Sequence, residues 1–476
     1  MDYISTRGSA APLDFRSVTL AGLASDGGLY VPREWPRFSS GEIAAMAGLP
    51  YAELAAKVMQ PFVGDCIAPD RLQELTRQAY GRFAHKAVTP LTQFDERNWL
   101  LELFHGPTLA FKDVALQLLG LLFEEFLKDS DQHLTIVGAT SGDTGSAAID
   151  AVAGREKIDI FMLHPKGRVS EVQRRQMTSV IAPNVHNIAL ENASFDDAQA
   201  MVKRMFADRD MTSRFRITAV NSINWARLMA QVVYYFAAAI QLGAPHRTTA
   251  FSVPTGNFGD VFAGHVAARM GLPVERLIVA TNVNDILHRA LSTGDYSAHG
   301  VTPTEAPSMD IQVSSNFERL LFDAGGRDGV ALADQMRGFE RSKAMQLTNA
   351  QREGSAALFA SARVDADGLR GAMRWAHENC DKIIDPHTAI GLSAALDADL
   401  PRGVPVVTLA TADAAKFAPA VEAAIGVSPE LPPRIADLMN REEACTDLPG
   451  TYEAVAAFVA GHATPSPAAA GAADSA

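Results

Sequence analysis

A chain of 476 residues is too long for one ordinary core and points to two or three domains, and 47% hydrophobic with 20% charged residues is a soluble globular composition. The formal net charge of −13 disfavours nucleic acid and anionic membrane surfaces as partners, and no apolar run approaches a membrane span. The three cysteines, Cys66, Cys380 and Cys445, are odd in number, widely spaced and in no metal-ligand pattern, which predicts a reducing compartment, no disulfide framework and no metal.

Residues 1 to about 95 read as a separate N-terminal unit. Residues 1–7 carry no apolar signal core, so export is not expected and a cytoplasmic location is. Asp26, Gly27 and Gly28 form a turn leading into a short strand through Val31. Helical periodicity follows over 40–46, 51–59 and 69–83, and the segments 89–94 and 98–103 are placed to pair as strands. From about 134 strands alternate with helices. Strands are predicted at 134–138, 158–163, 185–190, 216–220, 250–253 and 277–281, and helices at 146–152, 195–207, 224–242, 260–270 and 285–291. Alternation of this kind predicts right-handed crossovers and a parallel sheet covered on both faces. Residues 296–307 read as a loop, and 310–380 as a largely helical, inserted subdomain. The apolar run 404–409 is expected to return to the parallel sheet, and the Pro/Ala/Gly-rich end to form a disordered tail.

Seven stretches carry candidate chemistry. Lys112 stands alone among apolar residues, after Gly106-Pro107 and before an amphipathic run through Val114, Leu118, Leu121, Leu122 and Phe126. A cation at a helix start is disfavoured by the helix dipole, and apolar neighbours penalise it further. The expectation is a depressed, nucleophilic amine suited to a Schiff base, although a surface lysine with a snorkelling stem fits the same residues. Thr140, Ser141, Asp143 and Thr144 lie among glycines between a strand and a helix, where backbone N–H groups and hydroxyls suit a carboxylate or phosphate; simple N-capping uses the same residues. Gly256, Asn257, Phe258, Gly259 and Asp260 form a second such junction, able to hold a phosphate dianion without Lys or Arg, and matching neither the P-loop nor the dinucleotide fingerprint. Ser222, Asn224 and Arg227 form a third, and Lys166 and Arg168 add two cations beyond a strand end; capping or solvated charge accounts for these equally. Asp385 to Gly391, with His387, precedes a helix and offers a cleft lining. Thr411 ends the late strand, where a hydroxyl is placed to face a ring nitrogen.

In chain order, Thr6-Arg7-Gly8, Gly22 to Pro32, His105 to Asp113, Thr140 to Gly145, Gly256 to Asp260, Asp385 to Gly391 and Ala410 to Phe417 resemble the threonine synthase family, whose fold is shared with the tryptophan synthase β-subunit. The resemblance spans nearly the whole chain except its tail. It implies an α/β fold with two parallel or mixed open sheets flanked by helices, the pyridoxal-phosphate fold type II, with an N-terminal α+β domain at 1–95. The catalytic region would occupy 96–460, as two α/β subdomains with a helical insertion at about 310–380, and the disordered tail 461–476. The implied cofactor is pyridoxal 5'-phosphate, with Lys112 as its Schiff-base lysine. Gly256, Asn257, Phe258, Gly259 and Asp260 would cradle its phosphate, and Thr411 would meet its ring nitrogen. Asp143 stands near its phenolic oxygen, where many relatives carry asparagine. Thr140, Ser141 and Thr144 would hold the substrate carboxylate, and Arg168, Ser222, Asn224 and Arg227 its phosphate. The implied reaction is a carbon–oxygen lysis, O-phospho-L-homoserine plus water giving L-threonine and phosphate, the last step of threonine biosynthesis. The implied state is a monomer or homodimer with a small-molecule substrate and no nucleic-acid or membrane partner. A threonine synthase-like phospho-lyase or a serine/threonine dehydratase of the same fold is the enzymatic alternative. A binding module that kept the fold and lost the cofactor is the other.

Overall fold

The computed structural model describes residues 1–466 and forms two compact units, one from 1–115 with 222–430, the other from 116–221 with 431 onward. The chain passes from the first to the second within the helix Lys112–Leu127.

The first unit is built on a six-stranded mixed sheet in the order Phe359–Arg363, Val274–Thr281, Thr249–Pro254, Val406–Ala410, Asn98–Glu102, Leu91–Gln93. Every neighbouring pair is parallel except the last, an antiparallel pair with Leu91 opposite Leu101, at the place where the sequence puts two pairing strands. The late apolar strand returns to the sheet as expected, with Val406 opposite both Asn98 and Ala250. It is buried along its whole length, which is what a continuous apolar run in a central parallel strand requires. Leu100, Ala250, Ile278, Ile390, Leu392 and Val406 form part of its core. Burying each large aliphatic side chain contributes about 1.5–3 kcal/mol. Gly391 lets the helix Pro386–Leu396 lie on this sheet, since a Cβ there would come within 3.0 Å of Pro254.

Residues 1–95 lie within this unit rather than forming a compact body of their own. Tyr3 is fully buried, donates its hydroxyl to the Phe62 carbonyl at 2.8 Å, and has its ring centroid 5.8 Å from that of Trp225. The region 310–380 is helical over Phe317–Ala324, Gly329–Ser342, Asn349–Ala356 and Ala366–Cys380, but it also supplies the strand Phe359–Arg363. That strand runs parallel to Val274–Thr281 at the sheet edge. Its sequence is short and dominated by small residues, so it presents no apolar run to announce it.

The second unit holds a five-stranded, wholly parallel sheet in the order Thr446–Pro449, Val185–Glu191, Ile158–Pro165, Leu134–Ala139, Arg216–Thr218. Its central strand, Ile158–Pro165, is buried at all eight positions. Val137, Phe161, Leu163 and Ile188 meet Met201, Met205, Val455 and Val459 from the helices Phe195–Ala207 and Tyr452–His462 in one core. Residues 461–466, expected to open a disordered tail, are packed instead. The Thr464 N–H donates to Asp159 Oδ2 at 2.8 Å, the Ser466 N–H to the Arg214 carbonyl at 2.8 Å, and the Ser466 hydroxyl accepts from the His133 N–H at 2.8 Å. The rest of that stretch, 467–476, lies outside the described residues. Among the described residues no helix is long and apolar enough to cross a membrane.

Candidate active site

Lys112 is the first residue of its helix, and the loop before it is clasped by the next residue. Asp113 is fully buried; its Oδ2 accepts from the Thr108 N–H at 2.8 Å and its Oδ1 from the Thr108 hydroxyl at 2.7 Å. Gly106 is needed there, because a Cβ would lie 2.4 Å from Asp113 Cβ. Lys416, itself buried, donates Nζ to the Thr108 carbonyl at 2.7 Å. The clasp presses this loop against the end of the late strand. The Phe111 N–H donates to the Thr411 carbonyl at 2.8 Å, the Asp413 N–H to the Leu109 carbonyl at 3.0 Å, and Ala110 bridges Ala412. Lys112 and Thr411 are thereby held on adjoining backbones. The half-buried ammonium stands 4.8 Å from the Phe111 ring centroid, a cation–π distance.

The second junction lies at the carboxyl end of Thr249–Pro254 and opens the helix Gly259–Arg269. Phe258 takes a left-handed conformation with φ 64° and caps that helix. Among the described residues, the N–H groups of Gly256, Asn257, Phe258 and Gly259 have no acceptor, as expected of a helix start built to hold an anion. Gly256 is sterically required: a Cβ would lie 2.6 Å from the Ser308 carbonyl oxygen. Gly256→Val is expected to displace the loop at a cost of about 1–3 kcal/mol, weakening anion binding there by ~10-fold or more; equilibrium titration of the cofactor checks it.

Asp260, in the first turn, is 7% exposed. Its Oδ1 accepts from the hydroxyls of Tyr234 and Tyr235, and among the described residues its buried Oδ2 has no partner. Burial pushes this carboxyl up to about 6, against the opposing pull of the two tyrosines and the Lys112 charge. A folded-state value above the unfolded one means the native state holds the extra proton, so stability falls as pH rises from about 4 to about 6. Asp260→Asn keeps the acceptor for both tyrosines and removes the charge. It is expected to abolish that fall and to gain about 2–3 kcal/mol over the parent protein at pH 8, but not at pH 4; urea midpoints at the two pH values check it.

Around the third junction, Ser222 Oγ lies 3.4 Å from Ser315 Oγ. Asn224 is the N-cap of Trp225–Gln241: its Oδ1 accepts from the Ala226 N–H at 3.0 Å and its Nδ2 donates to the Thr19 carbonyl at 2.9 Å. The capping account therefore describes this side chain. Arg227 is buried, and burial pushes its guanidinium down to about 10.

Two supporting groups complete the first unit. Asp385 caps Pro386–Leu396 and accepts from His387 Nδ1 at 2.8 Å, and His387 Nε2 accepts from the Ser308 N–H at 3.3 Å, which puts the imidazole proton on Nδ1. Thr388 Oγ1 accepts from the Thr411 N–H at 3.3 Å. Ser314 and Asn316, absent from the sequence expectations, hold the carbonyls of the Gly256–Asn257 loop. Their only local signal is a Ser-Ser-Asn run before a helix.

In the second unit, Thr140, Ser141, Asp143 and Thr144 gather at the carboxyl end of Leu134–Ala139. Thr140 Oγ1 accepts from the N–H groups of Gly142 and Gly145 at 3.0 and 2.9 Å, so it shapes the turn. Ser141 is exposed, and Thr144 half-buried. Asp143 is buried and accepts from Gln173 Nε2 at 2.8 Å, which gives the carboxylate a fixed donor. Arg168 is exposed beyond the end of Ile158–Pro165.

A lysine beside a strand-end hydroxyl, in the same unit as a cation-free helix start with open N–H donors, suits a flat carbonyl cofactor with an anionic arm. This is the donor set of a pyridoxal-phosphate-dependent enzyme, and residues 84–362 match the family of that description. Residues 2–80 match "Threonine synthase N terminus" and 388–459 "Threonine synthase, C-terminal". The threonine synthase of Pseudomonas aeruginosa is 54% identical over 463 residues, covering 97% of this chain and 98% of that one. The solved structure of PLP-bound threonine synthase from Brucella melitensis matches with a TM-score of 0.94 at 50% identity, over 97% of this chain and 99% of its own. Threonine synthase from yeast matches with a TM-score of 0.91 at 35% identity, over 97% and 98%. The chain belongs to the threonine synthase family.

Proposed function

We propose that this chain converts O-phospho-L-homoserine and water into L-threonine and phosphate, with pyridoxal phosphate carried on Lys112. The observation that carries the proposal is Lys112 clasped against the Thr411 backbone, in the unit that also holds the open N–H groups of Gly256 to Gly259. Family membership at 54% identity supports the same reaction.

When bound, the cofactor supplies an electron sink for charge developing on the substrate carbons. The Lys112 amine is the base that takes the α proton and then moves protons at the β carbon. Phosphate leaves from the γ carbon and water adds at the β carbon. The N–H groups of Gly256, Asn257, Phe258 and Gly259 hold the cofactor phosphate, Thr411 offers a neutral hydroxyl to the ring nitrogen, and Asp143 acts near the phenolic oxygen. Thr140, Ser141 and Thr144 bind the substrate carboxylate. Ser222, Arg227 and Arg168 receive its phosphate, and Asn224 serves as the N-cap of Trp225–Gln241. The acidic composition supports a chain without a nucleic-acid or anionic-membrane partner, and the cysteine pattern a cytoplasmic location; the monomer or homodimer is carried over from the family resemblance.

The test is incubation of the holoenzyme with phosphohomoserine. Threonine and phosphate in equal amounts are expected. Phosphate released with 2-oxobutanoate and ammonia in place of threonine identifies a phospho-lyase instead, and no turnover of phosphohomoserine, with 2-oxobutanoate and ammonia formed from added threonine, identifies the dehydratase.

A further inference from the structure

We infer that Ser314 and Asn316 are positioning residues that aim the cofactor-phosphate cradle, with Arg319 locking the Asn316 amide in place. The inference rests on the cradle assignment made above.

The Ser314 hydroxyl donates to the Gly256 carbonyl at 2.6 Å. The Asn257 carbonyl accepts twice from Asn316, from its backbone N–H at 3.1 Å and from Nδ2 at 3.0 Å. Among the described residues the Ala244–Pro245 bond is the one cis peptide, so the bonds after Gly256 and after Asn257 are trans. In a trans peptide the C=O and the N–H point to opposite sides. Fixing these two carbonyls on the 314–316 segment therefore turns the N–H groups of Asn257 and Phe258 away from it. Those are two of the donors without an acceptor.

Asn316 is fully buried, and its amide has one workable orientation. Nη1 of the fully buried Arg319 donates to Asn316 Oδ1, which leaves Nδ2 for the carbonyls. Reversed, the amide would set its NH2 against a guanidinium and its oxygen against two carbonyls. Arg319 is anchored in turn: Nε donates to the Tyr30 carbonyl at 3.0 Å and Nη2 to the Ile223 carbonyl at 2.6 Å. Burial pushes its guanidinium down to about 9, so it remains a cation at neutral pH. Asn316 Nδ2 also donates to the Ser222 carbonyl at 3.2 Å, so one amide registers the cradle against the Ser222–Ile223 segment.

The experiment titrates apoenzyme with pyridoxal phosphate and, separately, with pyridoxal, which lacks the phosphate, following the visible band that appears when Lys112 is engaged. Asn316→Ala is expected to weaken pyridoxal phosphate ~10–100-fold and Ser314→Ala ~3–10-fold, with pyridoxal affinity unchanged in both. Asn316→Asp presents oxygens to both carbonyls and should be at least as weak as alanine. A general structural defect would lower both affinities and leave their ratio at the parent value. An unchanged ratio in Ser314→Ala and Asn316→Ala overturns the inference. If Asn316→Ala does not fold, the Ser314→Ala ratio decides alone. A parent protein that binds pyridoxal as tightly as pyridoxal phosphate sinks the cradle assignment itself, and this inference with it.

Discussion

Lys112→Ala is expected to lower turnover by about 10⁴-fold or more and to remove the visible absorbance band, while the protein stays folded. The proposed chemistry asks one amine to carry the cofactor and then to move protons at two carbons. A positioned base alone contributes ~10²–10⁴-fold, and the loss of covalent attachment adds to it. Stability should not suffer. Lys112 places a positive charge on the first residue of its helix, where the dipole disfavours it by about 0.3–1 kcal/mol. Alanine removes that charge, and the Asp113–Thr108 clasp that shapes the loop does not use the lysine side chain. Lys112→Arg keeps the charge without a nucleophilic amine and is expected to be equally inactive. Phosphate release and absorbance, measured beside a urea midpoint, check the three statements together. Substantial turnover in either variant would sink the assignment of Lys112.

The legible parts of this protein are those whose signal is local. The strand–loop–helix junction at Gly256 to Asp260 could be placed because strand, glycine loop and helix follow one another within the span Thr249–Arg269. The late strand could be placed because a central parallel strand must be apolar on both faces. The edge strand Phe359–Arg363 has no such demand and was hidden among helices. The packed end was hidden because Thr464 and Ser466 act through single hydrogen bonds to Asp159, His133 and Arg214, none of them nearby in sequence. Asn224 shows the converse error of scale. A polar residue before a helix fits both a ligand and a cap, and only its partners, Ala226 and Thr19, tell the two apart. Ser314, Asn316 and Arg319 were illegible for one shared reason. Each acts on a backbone carbonyl 58 to 289 residues away, and carbonyls carry no sequence.

The N-terminal stretches that mark the family acquire a physical role in this light. Thr6 Oγ1 donates to Glu318 Oε1 at 2.6 Å, and Arg7 reaches the same carboxylate through Nε at 3.2 Å and Nη2 at 3.1 Å. The Leu29 N–H donates to Thr6 Oγ1 at 2.8 Å, and the Tyr30 carbonyl accepts from Arg319. Gly8 and Gly329 approach so closely that a Cβ on Gly329 would lie 2.8 Å from Gly8 Cα. The strand pair Tyr3–Ser5 and Tyr30–Pro32 thus braces the helix Phe317–Ala324, whose N-cap is Asn316. Residues far from Lys112 in sequence hold the segment that orients the cradle, without themselves meeting the reacting atoms.

Asp385→Ala should be among the most damaging substitutions that leave every residue proposed to touch the cofactor or substrate in place. Its fully buried carboxylate accepts four hydrogen bonds: Oδ1 from the His387 N–H at 2.9 Å and from Nδ1 at 2.8 Å, Oδ2 from the Thr388 N–H at 3.3 Å and from the Thr388 hydroxyl. Alanine removes the N-cap, worth about 1 kcal/mol, and strands buried donors at about 1–3 kcal/mol each, so a loss of ~3–5 kcal/mol is expected. Asp385→Asn keeps one acceptor oxygen and turns an NH2 toward groups that also donate, so about half of that loss should remain. The functional effect follows from what the two partners do next. Thr388 Oγ1 receives the Thr411 N–H, and His387 Nε2 receives the Ser308 N–H, whose residue's carbonyl backs Gly256. Both the hydroxyl proposed for the ring nitrogen and the loop proposed for the phosphate therefore lose their backing. Under conditions where the asparagine variant is folded, kcat is expected to fall ~10-fold with a weaker cofactor affinity. Urea unfolding gives the stability, and cofactor titration with turnover gives the coupling. An asparagine variant that loses stability yet keeps parental turnover and cofactor affinity would show that this network holds up the helix and nothing at the site.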